Sequence, residues 1–398
     1  MAGRRKGAIN GYSVADNGVD KLNRNNNTYQ SDGASFRQQK TKTATLAQQQ
    51  SQPAMAAAQH KLSAGKHQTF ADMEVDFMFR EPYILSGYRL PNQTWRYYFA
   101  SVFWLHNETL NVWTHAIGCL CVLLRAAMLI FQLDDGFQDR RSFPVVGFAL
   151  GCFLSNLLST TAHLLHSKSP RHHYILYMLD YAGITFYSLG NGIGSMYSCS
   201  HPRNFAQMEG FYLPGVVGLC WFAFLACALA RLCYKGHVQI ERKLIMVSVL
   251  TMTAAFIAWP MTGRYVDCFE DAACSLGSLN HITVVFVFFT LDALCYTAHF
   301  PERWRPGHFD IWGHGHQWFH IAVMVTQQFQ LHALHVDLVQ LSRGDHVTID
   351  LPSILLSFLV LGVVKGVSLW CLIPTIDRKL SEDESSKGHH CNKNLKSP

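Results

Sequence analysis

The chain has 398 residues, of which 49% are hydrophobic and only 15% charged, against about 25% charged in a typical soluble domain. That deficit excludes an ordinary soluble enzyme or binding module and points to a membrane protein. The formal net charge is +6, and nothing in its distribution calls for a nucleic-acid partner.

Residues 1–66, with stretches such as "KLNRNNNTYQSDGASFRQQKTKTATLAQQQSQPAMAAAQH", are rich in Asn, Gln, Ser, Thr and Ala and poor in large apolar side chains. Such a segment cannot bury enough surface to offset its ordering entropy, so a disordered N-terminal tail is expected. "MAGRRKGAING" has a basic start but no apolar h-region after it. Membrane insertion is therefore assigned to a later segment. Residues 67–110 read as an amphipathic cytoplasmic lead-in.

From there on the pattern is all-α and membrane-spanning. Crossing a ~30 Å hydrocarbon core takes about 18 or more apolar residues in a helix. Eight segments qualify, at about 111–131, 143–166, 174–197, 212–234, 244–261, 282–299, 312–338 and 351–374. The seventh is interrupted by Gln327, Gln328, Gln330, His332 and His335; a seven-span reading would make it a buried or re-entrant segment. If the N-terminus is cytoplasmic, the loops on that side carry Lys168, Arg171, Lys235, Arg242, Lys243, Arg303 and Arg305, against Arg140, Arg141, Arg203, Arg264 and Arg343 on the other. The bias is mild and favours the N-terminus inside. An even number of spans then places residues 375–398, a charged C-terminal tail, inside as well.

That topology sorts the cysteines. Most of the 12 lie within apolar segments, where a thiol behaves as a small hydrophobe. Cys268 and Cys274, after the fifth span, face the oxidising side and either form a disulfide, with Cys199 as a competitor, or stay unpaired.

"WGHGHQWFH", residues 312–320, opens the seventh span with three histidines. His316 and His320 are one helical turn apart on one face, a spacing that suits two ligands of one metal and equally suits packing at the membrane boundary. "LLSTTAHLLH" closes the second span with Ser159 and His163 four residues apart, and "YMLDYAG" brings Asp180 near the start of the third. All three segments meet at the cytoplasmic leaflet, and ionisable groups at such depth are seldom left unpaired. His163, His316 and His320 would offer Zn²⁺ three imidazoles and leave a fourth position for water. Asp180 would orient or deprotonate that water, and Ser159 would hydrogen-bond to it or to a substrate carbonyl.

"HNETLNVWTH" aligns Glu108, Asn111 and His115 on one face of the first span, where an interhelical hydrogen-bond latch is the better reading. His172, His173, His332, His335 and Asp292 are read as ordinary buried or boundary residues outside any second convergent set.

"EPYILSGYR", "HNETLNVWTH", the Ser159–His163 pair, "LDYAGI" and "PGHFDIWGHGHQWFH" together resemble the progestin and adipoQ receptor (PAQR) family over roughly residues 81–374. "GHGHQxFH", the eighth apolar segment and the "RKL" tail look most like its membrane progestin receptor branch. The resemblance implies a seven-helix bundle with one extra C-terminal helix, inverted relative to G-protein-coupled receptors. It implies His163, His316 and His320 as zinc ligands, Asp180 and Ser159 beside the metal water, and Glu108, Asn111 and His115 as the first motif.

Three functions follow as expectations. One is a plasma-membrane steroid receptor of the progesterone-binding type, its ligand held in an apolar intrahelical cavity, signalling rapidly through a G-protein or another effector. The alternative is a ceramidase-like, zinc-dependent lipid amidase, as the family's link to ceramide hydrolysis implies. The third is a scaffold whose zinc only braces the helices.

Overall fold

In the computed structural model the described residues are 69–133, 135–234, 240–340 and 349–394. The expected disordered tail, residues 1–66, lies outside them. Eight long helices dominate the described residues: α1 (Thr109–Ile130), α2 (Ser142–Leu165), α3 (Pro170–Tyr197), α4 (Tyr212–Cys233), α5 (Ile240–Glu270), α6 (Asn280–Ala298), α7 (Gly315–His335) and α8 (Leu351–Asn394). Each corresponds to one apolar segment of the sequence. Six of them, α1, α2, α4, α5, α6 and α8, are long and apolar enough to cross a membrane. α3 and α7 are as long but more polar, and the bundle shields them.

α3 packs against α2, α4, α5 and α8, while α7 packs against α6 and α1 and so closes the ring. α3 starts where its chemistry dictates: the Ser169 side chain accepts from the His172 amide and Pro170 occupies the first turn, where a missing N–H costs nothing. Outward faces carry Leu120, Leu123 and Leu124 of α1 and Leu355, Leu356 and Leu359 of α8, all exposed. Apolar side chains arrayed outward are what a lipid solvent requires.

The α2–α3 seam is close-packed through glycine. A Cβ on Gly151 would lie 2.6 Å from the Phe186 carbonyl oxygen and 3.0 Å from the Cα of Gly190. Both neighbours are backbone, so the helices themselves would have to part. Gly151→Ala is expected to cost about 1–3 kcal/mol. Gly218→Ala, where a Cβ meets nothing within 4 Å, is expected to leave stability unchanged or raise it by up to about 1 kcal/mol. Thermal midpoints of the two variants in one detergent check this; equal midpoints would remove the seam argument.

Pro260 sits inside α5 without breaking it. The carbonyls around it are served from outside: Tyr212 Oη donates to Ile257 O at 3.1 Å, Asn204 Nδ2 to Trp259 O at 2.9 Å and the His201 amide to Pro260 O at 2.8 Å. External donors of this kind are how a bilayer protein tolerates proline.

α8 covers α3 and α4. Lys365 Nζ donates to Ala182 O at 3.0 Å and Trp221 Nε1 to Ser368 Oγ at 3.0 Å. The helix runs through Pro374 without a break as far as Asn394, so residues 375–394 of the stretch read as a tail continue α8, and the last four lie outside the described residues.

The two ends of the bundle differ. At one end lie the N-termini of α1, α3, α5 and α7, called here the site end. At the other, Cys268 and Cys274 form a disulfide, and Cys199 is not part of it. One turn before Cys268, Arg264 makes a bidentate pair with Asp337, Nη1–Oδ2 2.6 Å and Nη2–Oδ1 3.0 Å, and His281 Nε2 lies 3.1 Å from the same carboxylate. That cluster ties α5, α6 and the turn after α7 together.

Candidate metal centre and the family it defines

The site end is closed by residues 69–108. Gly87 adopts φ +88°, a conformation that favours glycine, and its carbonyl accepts from the Asn107 amide at 2.9 Å. Arg89 is buried and caps the last turn of α2, donating to Leu164 O at 2.6 Å and His163 O at 2.7 Å. Those carbonyls have no partner within the helix, so Arg89 fixes the end that carries His163. Asp310 accepts from the Leu85 amide at 3.0 Å and from Ser86 Oγ at 2.6 Å, joining the loop before α7 to the same lead-in.

His106 sets the entry of α1. Its Nδ1 accepts from the Glu108 amide at 3.1 Å and its Nε2 lies 3.0 Å from Ser101 O. Burial, with the charge of Arg89 beside it, pushes its pKa down to about 2, so the ring stays neutral and donates from Nε2.

Three imidazoles then converge. His163 Nε2 lies 3.4 Å from His316 Nε2, and His316 Nε2 lies 3.2 Å from His320 Nε2. All three ligand atoms fall within 4.8 Å of one another. His163 and His320 are buried and His316 is half-buried. The His163 proton is assigned by its other nitrogen: Nδ1 is 2.8 Å from Glu108 Oε2, so Nδ1 donates and Nε2 turns a lone pair to the centre. Three imidazole nitrogens gathered this closely could hold one metal ion.

Glu108 collects further donors. Asn111 Nδ2 donates to Oε2 at 2.6 Å, and His166 Nε2 lies 3.4 Å from Oε1. His115, the third member of that face, pairs instead with α2: Nδ1 is 2.8 Å from Asn156 Oδ1, and Asn156 Nδ2 donates to Gln327 Oε1 of α7 at 3.0 Å. The His115 ring packs edge-on against His320 with centroids 4.0 Å apart. Ser159 and Asp180 come within interaction range of each other across the α2–α3 seam, and the Asp180 carboxyl lies within electrostatic reach of His163.

Every residue singled out for this centre in the sequence thus lies at the site end. Reasoning from sequence missed His166, Asn156, Gln327 and the link from His173 onward. His166 is visible in "LLSTTAHLLH" but falls three residues after His163, off the i, i+4 spacing. His332 and His335 lie elsewhere, lining a cavity of about 260 Å³ with Arg125, Met128, Leu129 and Gln132. Asp292 accepts from Thr326 Oγ1 at 2.9 Å.

An all-helical membrane protein whose first, second and seventh helices meet at a histidine cluster is a definable class, and residues 103–331 match the Haemolysin-III related family. The chain belongs to that family, within its progestin and adipoQ receptor members. Among its relatives, membrane progestin receptor beta of Sus scrofa is 30% identical over 320 residues, covering 80% of this chain and 90% of the relative. Membrane progestin receptor alpha of Homo sapiens is 34% identical over 268 residues, 66% of this chain and 75% of the relative. Membrane progestin receptor alpha-B of Danio rerio is 31% identical over 271 residues, 68% and 76% respectively.

Proposed function

We propose that this chain is a plasma-membrane receptor for a progestin-type steroid, with Zn²⁺ at the His163–His316–His320 centre and the site end in the cytoplasm. The observation that carries the receptor reading is the similarity to proteins named membrane progestin receptors across two thirds or more of the chain. Orientation is supported by Lys168, Arg171, Arg303 and Arg305 at the site end and by the disulfide at the other. An effector, G protein or other, would then meet the site end.

Zinc is supported by the donor set. Ligands about 2.0–2.1 Å from a tetrahedral ion stand about 3.3 Å from each other, and the observed nitrogen separations are 3.4 and 3.2 Å. A bound zinc ion would supply Lewis acidity and lower the pKa of a coordinated water towards about 7. Around it, Glu108 holds the His163 proton away from the centre, and His115 walls the His320 ring.

One observation favours a second reading, a lipid amidase. The Ser159 hydroxyl and Asp180 carboxyl, within interaction range of each other beside the centre, have no role in a site that merely binds. Asp180 would accept a proton and Ser159 would steady a substrate carbonyl.

The test is binding of labelled progesterone to membranes of cells expressing the chain, against untransfected membranes, with an N-terminal tag stained before and after permeabilisation. Saturable nanomolar binding and staining only after permeabilisation are expected. Absence of saturable binding by folded protein overturns the receptor reading. Ceramide hydrolysis that Asp180→Ala abolishes would then establish the amidase.

A further inference from the structure

The polar network does not end at Glu108. His166 Nδ1 lies 3.3 Å from His173 Nδ1 on α3, and His173 Nε2 lies 2.6 Å from Arg231 Nη2 on α4. The Arg231 guanidinium is itself seated over the Tyr177 ring, 4.1 Å from its centroid. His166 and His173 are both buried.

The chemistry of the end member gives this chain a direction. A guanidinium has donors and no acceptor, so His173 Nε2 must accept, and a neutral His173 keeps its proton on Nδ1. That proton points at His166 Nδ1, which accepts in turn, leaving the His166 proton on Nε2. There it is buried with no hydrogen-bond partner of good geometry, and Glu108 Oε1 lies 3.4 Å away. A small rotation of either group closes that contact. Glu108 is thereby held by its Oε1 while Oε2 receives the His163 Nδ1 proton at 2.8 Å. Proton placements here are assigned from partners, and this assignment leaves only the 3.4 Å His166–Glu108 contact to close.

We infer that Arg231 and His173 are positioning residues for the metal centre. Through His166 they orient the Glu108 carboxylate, and through Glu108 they hold His163 with its Nε2 lone pair on the metal. This rests on the zinc reading above. It gives α4, which brings no ligand, a part in the centre, and it separates His173 from His172, whose Nδ1 lies 2.7 Å from Ser169 Oγ at the helix start.

The experiment compares three variants of the full chain in detergent. His173→Phe keeps an aromatic ring against Phe79 and Tyr177 but has no nitrogen. His173→Gln restores one acceptor and one donor. Arg231→Met breaks the chain at its far end and leaves His173 in place, so it reads the same inference if His173→Phe fails to fold. Zinc affinity is measured by chelator competition, and the ligand field by the visible spectrum of the Co²⁺-substituted protein.

Partners beyond the ligands themselves are worth roughly 10–100-fold in metal affinity. His173→Phe and Arg231→Met are expected to weaken zinc binding by about tenfold and to alter the cobalt spectrum, and His173→Gln to stay within about threefold of wild type. Wild-type affinity in both His173→Phe and Arg231→Met overturns the inference. So does a His173→Gln as weak as His173→Phe, because packing alone would then account for the loss. A wild-type chain that binds no metal sinks the zinc reading and this inference together, whereas tight wild-type binding with unaffected variants removes only the inference.

Discussion

His316→Ala is expected to strip the purified chain of its metal. Wild-type protein should retain about one zinc per chain through detergent purification, and the variant less than about a tenth of that. The size follows from the ligand count. Apparent zinc binding to protein sites is worth roughly 10–16 kcal/mol, and His316 is one of three converging nitrogens. Its loss should remove roughly 3–5 kcal/mol, about 10²- to 10⁴-fold in affinity. Because an ion that binds only the folded state stabilises it by mass action, the thermal midpoint should also become insensitive to added zinc. His332→Ala, away from the centre in the Arg125 cavity, is the matched control and should keep full metal content. Retention of stoichiometric metal by His316→Ala, or its absence from wild type, would rule out the centre as drawn.

The second large effect belongs to the opposite end. Asp337 is fully buried and Arg264 nearly so, and their bidentate contact is reinforced by His281. Removing one partner leaves a charge in a place where water cannot reach it, and such breaks cost roughly 3–5 kcal/mol. Asp337→Ala should therefore lower the thermal midpoint in detergent by on the order of 10 °C. The double variant Arg264→Met, Asp337→Leu should recover most of the loss, since apolar replacement of both partners is often neutral. A single variant within about 1 kcal/mol of wild type would show that the pair contributes little, and a double variant worse than either single one would mean the ions are needed for more than mutual neutralisation.

Much of this architecture is legible in the order of the amino acids alone. Hydrophobic run length locates all eight helices, because a bilayer demands contiguous apolar residues and tolerates few alternatives. The histidine centre is legible for a related reason. Ionisable side chains in such runs are rare enough that His163, Asp180, His316 and His320 attract notice one by one. What stays hidden is pairing across long sequence separations. Arg264 and Asp337 stand 73 residues apart, and Asn156 and Gln327 171 apart; no local spacing links them. Hydrogen-bond direction is hidden too. His173 looks like a boundary histidine until Arg231, from another helix, dictates which of its nitrogens accepts. The passage of α8 through Pro374 has a similar cause: a proline's effect depends on which groups surround the turn before it.

Two of the helices that bring polar groups to the site also say something about how the protein must be made. α3 and α7 are the two long helices that fall short of the apolarity expected of a membrane span. Neither would partition into lipid comfortably alone, since its buried Asn, Gln, His or Asp side chains find partners only on neighbours. α7 leaves the ribosome after six helices have already emerged, and a ready-made cleft between α1 and α6 receives it. α3 comes third, before α4, α5 and α8 exist to cover it. Its insertion is therefore the step of biogenesis at which the nascent chain depends most on what has not yet been synthesised.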